Sequence, residues 1–174
     1  MALTIKETVN DDPDFIMLCK KLDSFQSVLA PERSGLGFSS LNGLDRIQKV
    51  FIVYDKDQAV ACAAMKTVDE SKVELARVYT SDAYRGQGLA TQLLEKAIAY
   101  ARSCGYQKII LDTWRRNTTA QSLYRRLGFA VVPMFGLDTL QNAFSQKVED
   151  KLDDMRELLV FMELDISSNQ PKTS

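Results

Sequence analysis

The chain has 174 residues, enough for one domain with a core of its own. Apolar residues at 45%, charged residues at 26% and a net charge of -1 read as a globular protein with no electrostatic pull toward nucleic acid or an anionic membrane. It contains no histidine, which excludes Ser-His-Asp and Cys-His catalysis, His-ligated metals and a histidine base.

In chain order, Leu3 to Glu7 alternates as a short strand would. Asp12 followed by Pro13 reads as an N-cap with proline at the first helical position. Phe15, Leu18, Cys19, Leu22, Phe25 and Leu29 keep helical spacing until Pro31. Glu32 to Lys49 is rich in glycine and serine, with a short helix expected over Leu41 to Gln48. Val50 to Tyr54 and Ala59 to Val68 read as strands joined by the turn Asp55-Lys56-Asp57-Gln58, and Val73 to Thr80 as a third.

Leu89, Leu93, Leu94, Ala97, Ile98 and Ala101 then mark one face of a helix that ends near Gly105. Lys108 to Asp112 is a short buried strand. Thr118 with Gln121 reads as a capping box for a helix running to Leu127, and Phe129 to Phe135 as another strand. Leu137, Leu140, Phe144, Val148, Leu152, Met155 and Leu159 trace an amphipathic helix from about Asp138 to Glu157. Leu158 to Ile166 is the last strand, leaving Ser167 to Ser174 as a disordered tail.

Cys19, Cys62 and Cys104 are far apart and form no C-x-x-C pair, so each reads as small core filling in a reducing compartment. Met1 to Glu7 lacks the blocks of a signal peptide, and no apolar run is long enough to span a membrane; the expected location is the cytoplasm. No metal is expected.

The turn Arg85-Gly86-Gln87-Gly88-Leu89-Ala90 lies between a strand and a helix. Glycines allow close backbone approach, and the first-turn amides of a helix lack internal partners, which together suit a phosphate. A dinucleotide fingerprint needs a small residue where Thr91 stands, and a P-loop sequence is absent. A purely structural turn stays open on the glycines alone.

Arg85 to Ala90 matches the [QR]-x-x-G-x-[GA] pattern of the GNAT superfamily of acetyltransferases. Asn117-Thr118-Thr119-Ala120-Gln121-Ser122-Leu123-Tyr124-Arg125-Arg126-Leu127-Gly128-Phe129 resembles that family's second signature, N-x-x-A-x-x-L-Y-x-x-x-G-F, at every fixed position. Thr80 departs from the usual apolar residue, and Ser81-Asp82 stands where many relatives have a proline. The resemblance implies a single α/β (α+β) GNAT-like domain over residues 1–166. Its mixed, mostly antiparallel sheet would have about seven strands flanked by helices, with an extra helix between the last two.

The same resemblance implies acetyl-CoA as cosubstrate. The amides of Gly86, Gln87, Gly88, Leu89, Ala90 and Thr91 would hold the pyrophosphate, with Arg85 at the rim. The pantetheine arm would pair with backbone near Thr80 in a gap between two splayed parallel strands. The Val78 amide would meet the thioester oxygen, and Asn117 would hydrogen-bond the cofactor arm, a role compatible with its other reading as a helix cap. Tyr124 would be the general acid unless it is core. Glu74, four residues before Val78, would be the general base acting through water unless it is merely solvated. Arg77 faces away from Glu74 by strand alternation and reads as structural.

The implied reaction is direct attack by a primary amine of a small molecule, through a tetrahedral intermediate and without an acyl-enzyme. The alternatives are a protein or peptide N-acetyltransferase and a non-catalytic acyl-CoA-binding module. The helix near 138–157 would lid the acceptor cleft, form a homodimer contact, or pack as ordinary core.

Overall fold

The computed structural model describes residues 2–31, 43–133 and 156–167. The expected helix at 138–157 lies almost wholly outside the described residues, as does nearly all of the expected tail.

Asp12 caps the first helix as expected: its carboxylate accepts from the Asp14 amide at 2.9 Å and from Lys6 Nζ at 2.7 Å. The elements are β1 (Leu3–Thr8), α1 (Pro13–Leu29), β2 (Ile47–Asp55), β3 (Gln58–Thr67), β4 (Lys72–Thr80), α2 (Leu89–Ser103), β5 (Lys108–Trp114), α3 (Thr118–Arg126), β6 (Ala130–Val132) and β7 (Leu159–Asp165). Short 3-10 turns at Leu44–Arg46 and Asp82–Tyr84 precede β2 and the glycine turn.

The strands form one seven-stranded sheet in the order β1-β2-β3-β4-β5-β7-β6. Only β4 and β5 run parallel; every other neighbouring pair is antiparallel. Asp55 pairs with Gln58 across a two-residue turn in which Lys56 takes φ +55°, the left-handed conformation that tight hairpins require.

Helices cover both faces, which is why β2 and β3 read as continuous apolar runs rather than alternating ones. On one face α2 places Leu93, Leu94, Ala97 and Ala101 against Phe51, Val53, Ala61, Ala63, Leu75, Ile109 and Leu111. On the other, Phe15, Leu18 and Cys19 of α1 pack on Val50, Ile52, Cys62 and Ala64. Leu93 is fully buried, so Leu93→Ala costs about 2–5 kcal/mol.

Four expectations need correction. The helix proposed over Leu41–Gln48 is a 3-10 turn at Leu44–Arg46, because Ile47 already pairs with Lys66 as the first residue of β2. Among the described residues the strand after α3 spans Ala130–Val132, the three residues that pair with β7; the expected Pro133–Phe135 end lies largely outside them. Asn117, not Thr118, caps α3: its side chain accepts from the Ala120 amide at 3.2 Å. Gln121 is buried and donates instead to the carbonyls of Trp114 and Arg115 at 3.2 and 2.8 Å. Cys19 and Cys62 are buried, but Cys104, at the C-cap of α2, is exposed.

Candidate active site

Gly86 and Gly88 adopt φ +74° and +78°, conformations that glycine takes without strain. Among the described residues a Cβ built on either would meet nothing within 4 Å, so it is the backbone angle that demands glycine. Gly88 is the N-cap of α2, and among the described residues no side chain caps that end. The first intrahelical bond runs from the Gln92 amide to the Gly88 carbonyl at 3.1 Å, leaving the Leu89, Ala90 and Thr91 amides without helical acceptors. No acidic residue occupies the first turn. Free amides, the positive end of the helix dipole and open space fit a diphosphate.

Arg85 sits at the rim. Its Nη2 lies 2.9 Å from Asp82 and its Nε donates to the Thr80 carbonyl at 3.1 Å. The guanidinium carbon stacks 4.7 Å from the Phe25 ring centroid, bridging from the glycine turn to α1. Gln87 differs from its neighbours: its side chain donates to the Ala83 carbonyl at 3.2 Å and does not line the cavity.

Below the turn the sheet opens. The parallel pairing of β4 with β5 runs Lys72↔Lys108, Val73↔Ile109, Glu74↔Ile110 and ends there. Beyond it β4 continues to Thr80 and β5 to Trp114 without pairing to one another. The β3–β4 register also slips, from Ala64↔Ala76 to Cys62↔Tyr79, so Arg77 and Val78 stand opposite the single residue Ala63. Arg77 carries φ +54°, a conformation that costs a non-glycine residue on the order of 1–3 kcal/mol.

This bulge corrects the expected direction of Arg77. Strand alternation fails at the extra residue, and the guanidinium reaches α1, where Nη1 lies 2.8 Å from Asp23 Oδ1. Glu74 and Arg77 therefore both belong to the face that α1 covers.

A cavity of about 430 Å³ occupies the gap. Every site residue named from the sequence except Gln87 lines it: Glu74, Val78, Thr80, Arg85, Gly86, Gly88, Leu89, Ala90, Thr91, Asn117 and Tyr124. Asn117 thus caps α3 and borders the cavity at once. The Thr80 hydroxyl is buried and finds no hydrogen-bond partner among the described residues.

Glu74 lies 3.9 Å from Lys66 Nζ. Burial, and then the charge of Asp112, push its carboxyl up to about 7, against a smaller opposing pull from Lys66. Asp112 is raised as well, chiefly because the surrounding protein displaces bulk water even though its side chain opens onto the cavity. Tyr124 is almost wholly buried, with its ring 5.8 Å from that of Phe129. Burial and the Asp112 charge raise its hydroxyl, so it stays protonated at neutral pH.

Sequence reasoning, which expected a wall from Phe25 onward, missed Asp112 and the apolar wall residues Leu22 and Trp114 that stand with Phe25. A signal for Asp112 was present: a lone carboxylate follows Ile109, Ile110 and Leu111 inside a strand that is otherwise buried on this face and the other.

The family model for the acetyltransferase (GNAT) family matches residues 22–129, more than half of the chain. Human N-acetyltransferase 8B is 35% identical over 63 residues, covering 36% of this chain and 28% of that protein. N-alpha-acetyltransferase 30 of Schizosaccharomyces pombe is 33% identical over 84 residues, covering 45% and 55%. The chain thus matches less than two thirds of the length of either relative.

Among solved structures, a Klebsiella pneumoniae protein proposed to be an acyl-CoA N-acyltransferase aligns with TM-score 0.68 and 26% identity, covering 94% of this chain and 97% of that one. A GNAT family acetyltransferase from Elizabethkingia anophelis, solved with acetyl-CoA bound, shares the fold at TM-score 0.64 and 15% identity, covering 94% and 98%. No helix among the described residues is long and apolar enough to cross a membrane. With its glycine cradle, its splayed strands and the matching family model, the chain belongs to the acetyltransferase (GNAT) family.

Proposed function

We propose that this protein transfers an acetyl group from acetyl-CoA to the primary amine of a small molecule. The observation that carries the proposal is one cavity joining an uncapped helix N-terminus, a parted pair of parallel strands and a carboxylate with a raised pKa.

In this reading the amides of Gly86 to Thr91 hold the pyrophosphate, and the unpaired edge of β4 beyond Glu74 takes the pantetheine arm as an added strand. Bound acetyl-CoA supplies the activated acetyl group. The Val78 amide receives the charge that develops on the carbonyl oxygen. An amine arrives mostly as the ammonium ion, and Glu74, poised near neutrality beside Asp112, takes that first proton through water. Tyr124 gives its proton to the departing thiolate and regains one from the nitrogen as that atom sheds its second. Leu22, Phe25 and Trp114 exclude water from the acceptor end.

A peptide α-amine is the second reading, favoured by the likeness to the fission-yeast N-alpha-acetyltransferase 30. Buried thiols at Cys19 and Cys62 suit a reducing compartment, so we place the protein in the cytoplasm. The test is incubation with acetyl-CoA and a panel of amines, amino acids, polyamines and peptides, with products read by mass spectrometry. An acetylated small amine is the expected product. Acetylated peptides alone favour the second reading, and a bound but unconsumed acetyl-CoA leaves a binding module.

A further inference from the structure

Three strands and a helix bring unlike side chains to one end of the cavity. β5 keeps regular register with β7 from Lys108 to Trp114, so its side chains alternate without a slip. Ile109 and Leu111 join the core under α2, which turns Asp112 and Trp114 to the face that α1 covers. Trp114 stands directly opposite Leu159 of β7, and both line the cavity. Leu22 and Phe25 wall it from α1, and Glu74 completes the set from β4.

The charges at this end are unequally matched. Glu74 lies 3.9 Å from Lys66, Arg77 lies 2.8 Å from Asp23, and Arg85 lies 2.9 Å from Asp82. Among the described residues, by contrast, no donor bonds the Asp112 carboxylate, which opens onto the cavity and feels Lys66 only through its charge. Burial holds that carboxyl up, so a cation set against it is favoured. The Asp112 charge in turn raises both the Glu74 carboxyl and the Tyr124 hydroxyl. A nitrogen held at Asp112 therefore has the candidate base and the candidate acid within electrostatic reach. Arg126, which also lines the cavity, belongs to α3 on the face that α2 covers.

We propose that this end of the cavity selects a primary amine with an apolar, ring-sized body and no carboxylate beside the nitrogen: Asp112 binds the ammonium, and Leu22, Phe25, Trp114 and Leu159 take the body. The inference rests on the proposed acetyl transfer and names its acceptor class. An α-amino acid is rejected on charge, since its carboxylate meets Asp112 and Glu74 together where water is scarce. A short alkyl amine is bound on charge but leaves the apolar wall uncovered. Glu74 keeps its role as base, and Asp112 holds the cation until water carries the proton away.

Four amines separate these contributions: phenylethylamine, phenylalanine, ethylamine, and phenylalaninol, which has a neutral hydroxymethyl group in place of the carboxylate. kcat/KM for each is measured with saturating acetyl-CoA at pH ~8, above the rising limb set by Glu74, in the unaltered protein and in Asp112→Asn. Phenylethylamine and phenylalaninol are expected within about threefold of one another, with phenylalanine and ethylamine each about tenfold or more below. In Asp112→Asn, KM for phenylethylamine rises about tenfold, KM for acetyl-CoA holds, and the gap between phenylalanine and phenylalaninol narrows severalfold. The ranking in the unaltered protein tests the class on its own, and the variant assigns it to Asp112. Phenylalanine equal to phenylalaninol, ethylamine equal to phenylethylamine, or an Asp112→Asn variant with the original ranking and KM overturns the inference while acetyl transfer to another amine stands. Failure of every amine in the wider panel removes the proposed function, and this inference with it.

Discussion

Asp112 stands on the same face of the sheet as Glu74, two residues past Ile110, the partner with which Glu74 makes the last parallel pair. Burial, and then the charge of Asp112, oppose the ionisation of Glu74, and burial holds the Asp112 carboxyl up as well. Glu74 works as a base only when deprotonated. The kcat/KM profile is therefore expected to rise with pH through an apparent pKa near 7. In Asp112→Asn burial remains but the neighbouring charge is gone, so the rising limb moves to lower pH. An unmoved limb would separate Asp112 from the titration.

The same shift has a consequence for stability. The folded-state pKa of Glu74 lies above its ordinary value of 4.5, so the native protein binds this proton more tightly than the unfolded chain. That contribution is whole below the unfolded pKa and is lost as pH rises through about 7. Glu74→Gln, which cannot ionise, is predicted to melt higher than the unaltered protein at pH ~8 and to lose this advantage by pH ~4. Its activity should fall about 10²-fold or more above pH ~7, where Glu74 is deprotonated, and the deficit should shrink as pH falls below that value. Thermal melts at the two pH values check the sign.

Tyr124→Phe tests the acid. The ring's packing on Phe129 survives the change, so folding and KM for acetyl-CoA should hold while kcat drops about 10²-fold. Unchanged kcat would make Tyr124 a core residue that happens to border the cavity.

The glycine turn yields a paired comparison. Gly88→Ala forces a Cβ into a left-handed N-cap, costing about 1–2 kcal/mol, although nothing stands within 4 Å to obstruct it. Acetyl-CoA affinity should fall roughly tenfold as the amides tilt. Gln87→Ala, whose side chain turns away to Ala83, should change affinity by no more than about twofold. Titration of both variants decides whether this turn contributes backbone or side chains.

Much of the fold was legible because its signals are local. Asp12-Pro13 opens α1, Asp55 to Gln58 turns the β2–β3 hairpin, and the Leu93-Leu94-Ala97 stripe buries α2. The glycine turn was legible too, since Gly86 and Gly88 stand between a strand and a helix and both take positive φ. Arg77 could not be read correctly: a bulge is set by register between strands, and alternation within β4 gives no hint of it. Asp112 needed the splay, because only the topology brings β5 beside Glu74. The capping box at Thr118 and Gln121 was misread while the cap at Asn117 was read correctly: Asn117 and Thr118 can both accept from a first-turn amide, and the choice follows from where β5 ends and the chain turns at Trp114.

The most direct test of the acetyl-CoA site is calorimetric titration of the protein with acetyl-CoA. The account predicts saturable binding at one site per chain, abolished by excess coenzyme A and weakened in Gly88→Ala. No binding, or binding that Gly88→Ala leaves untouched, would contradict it.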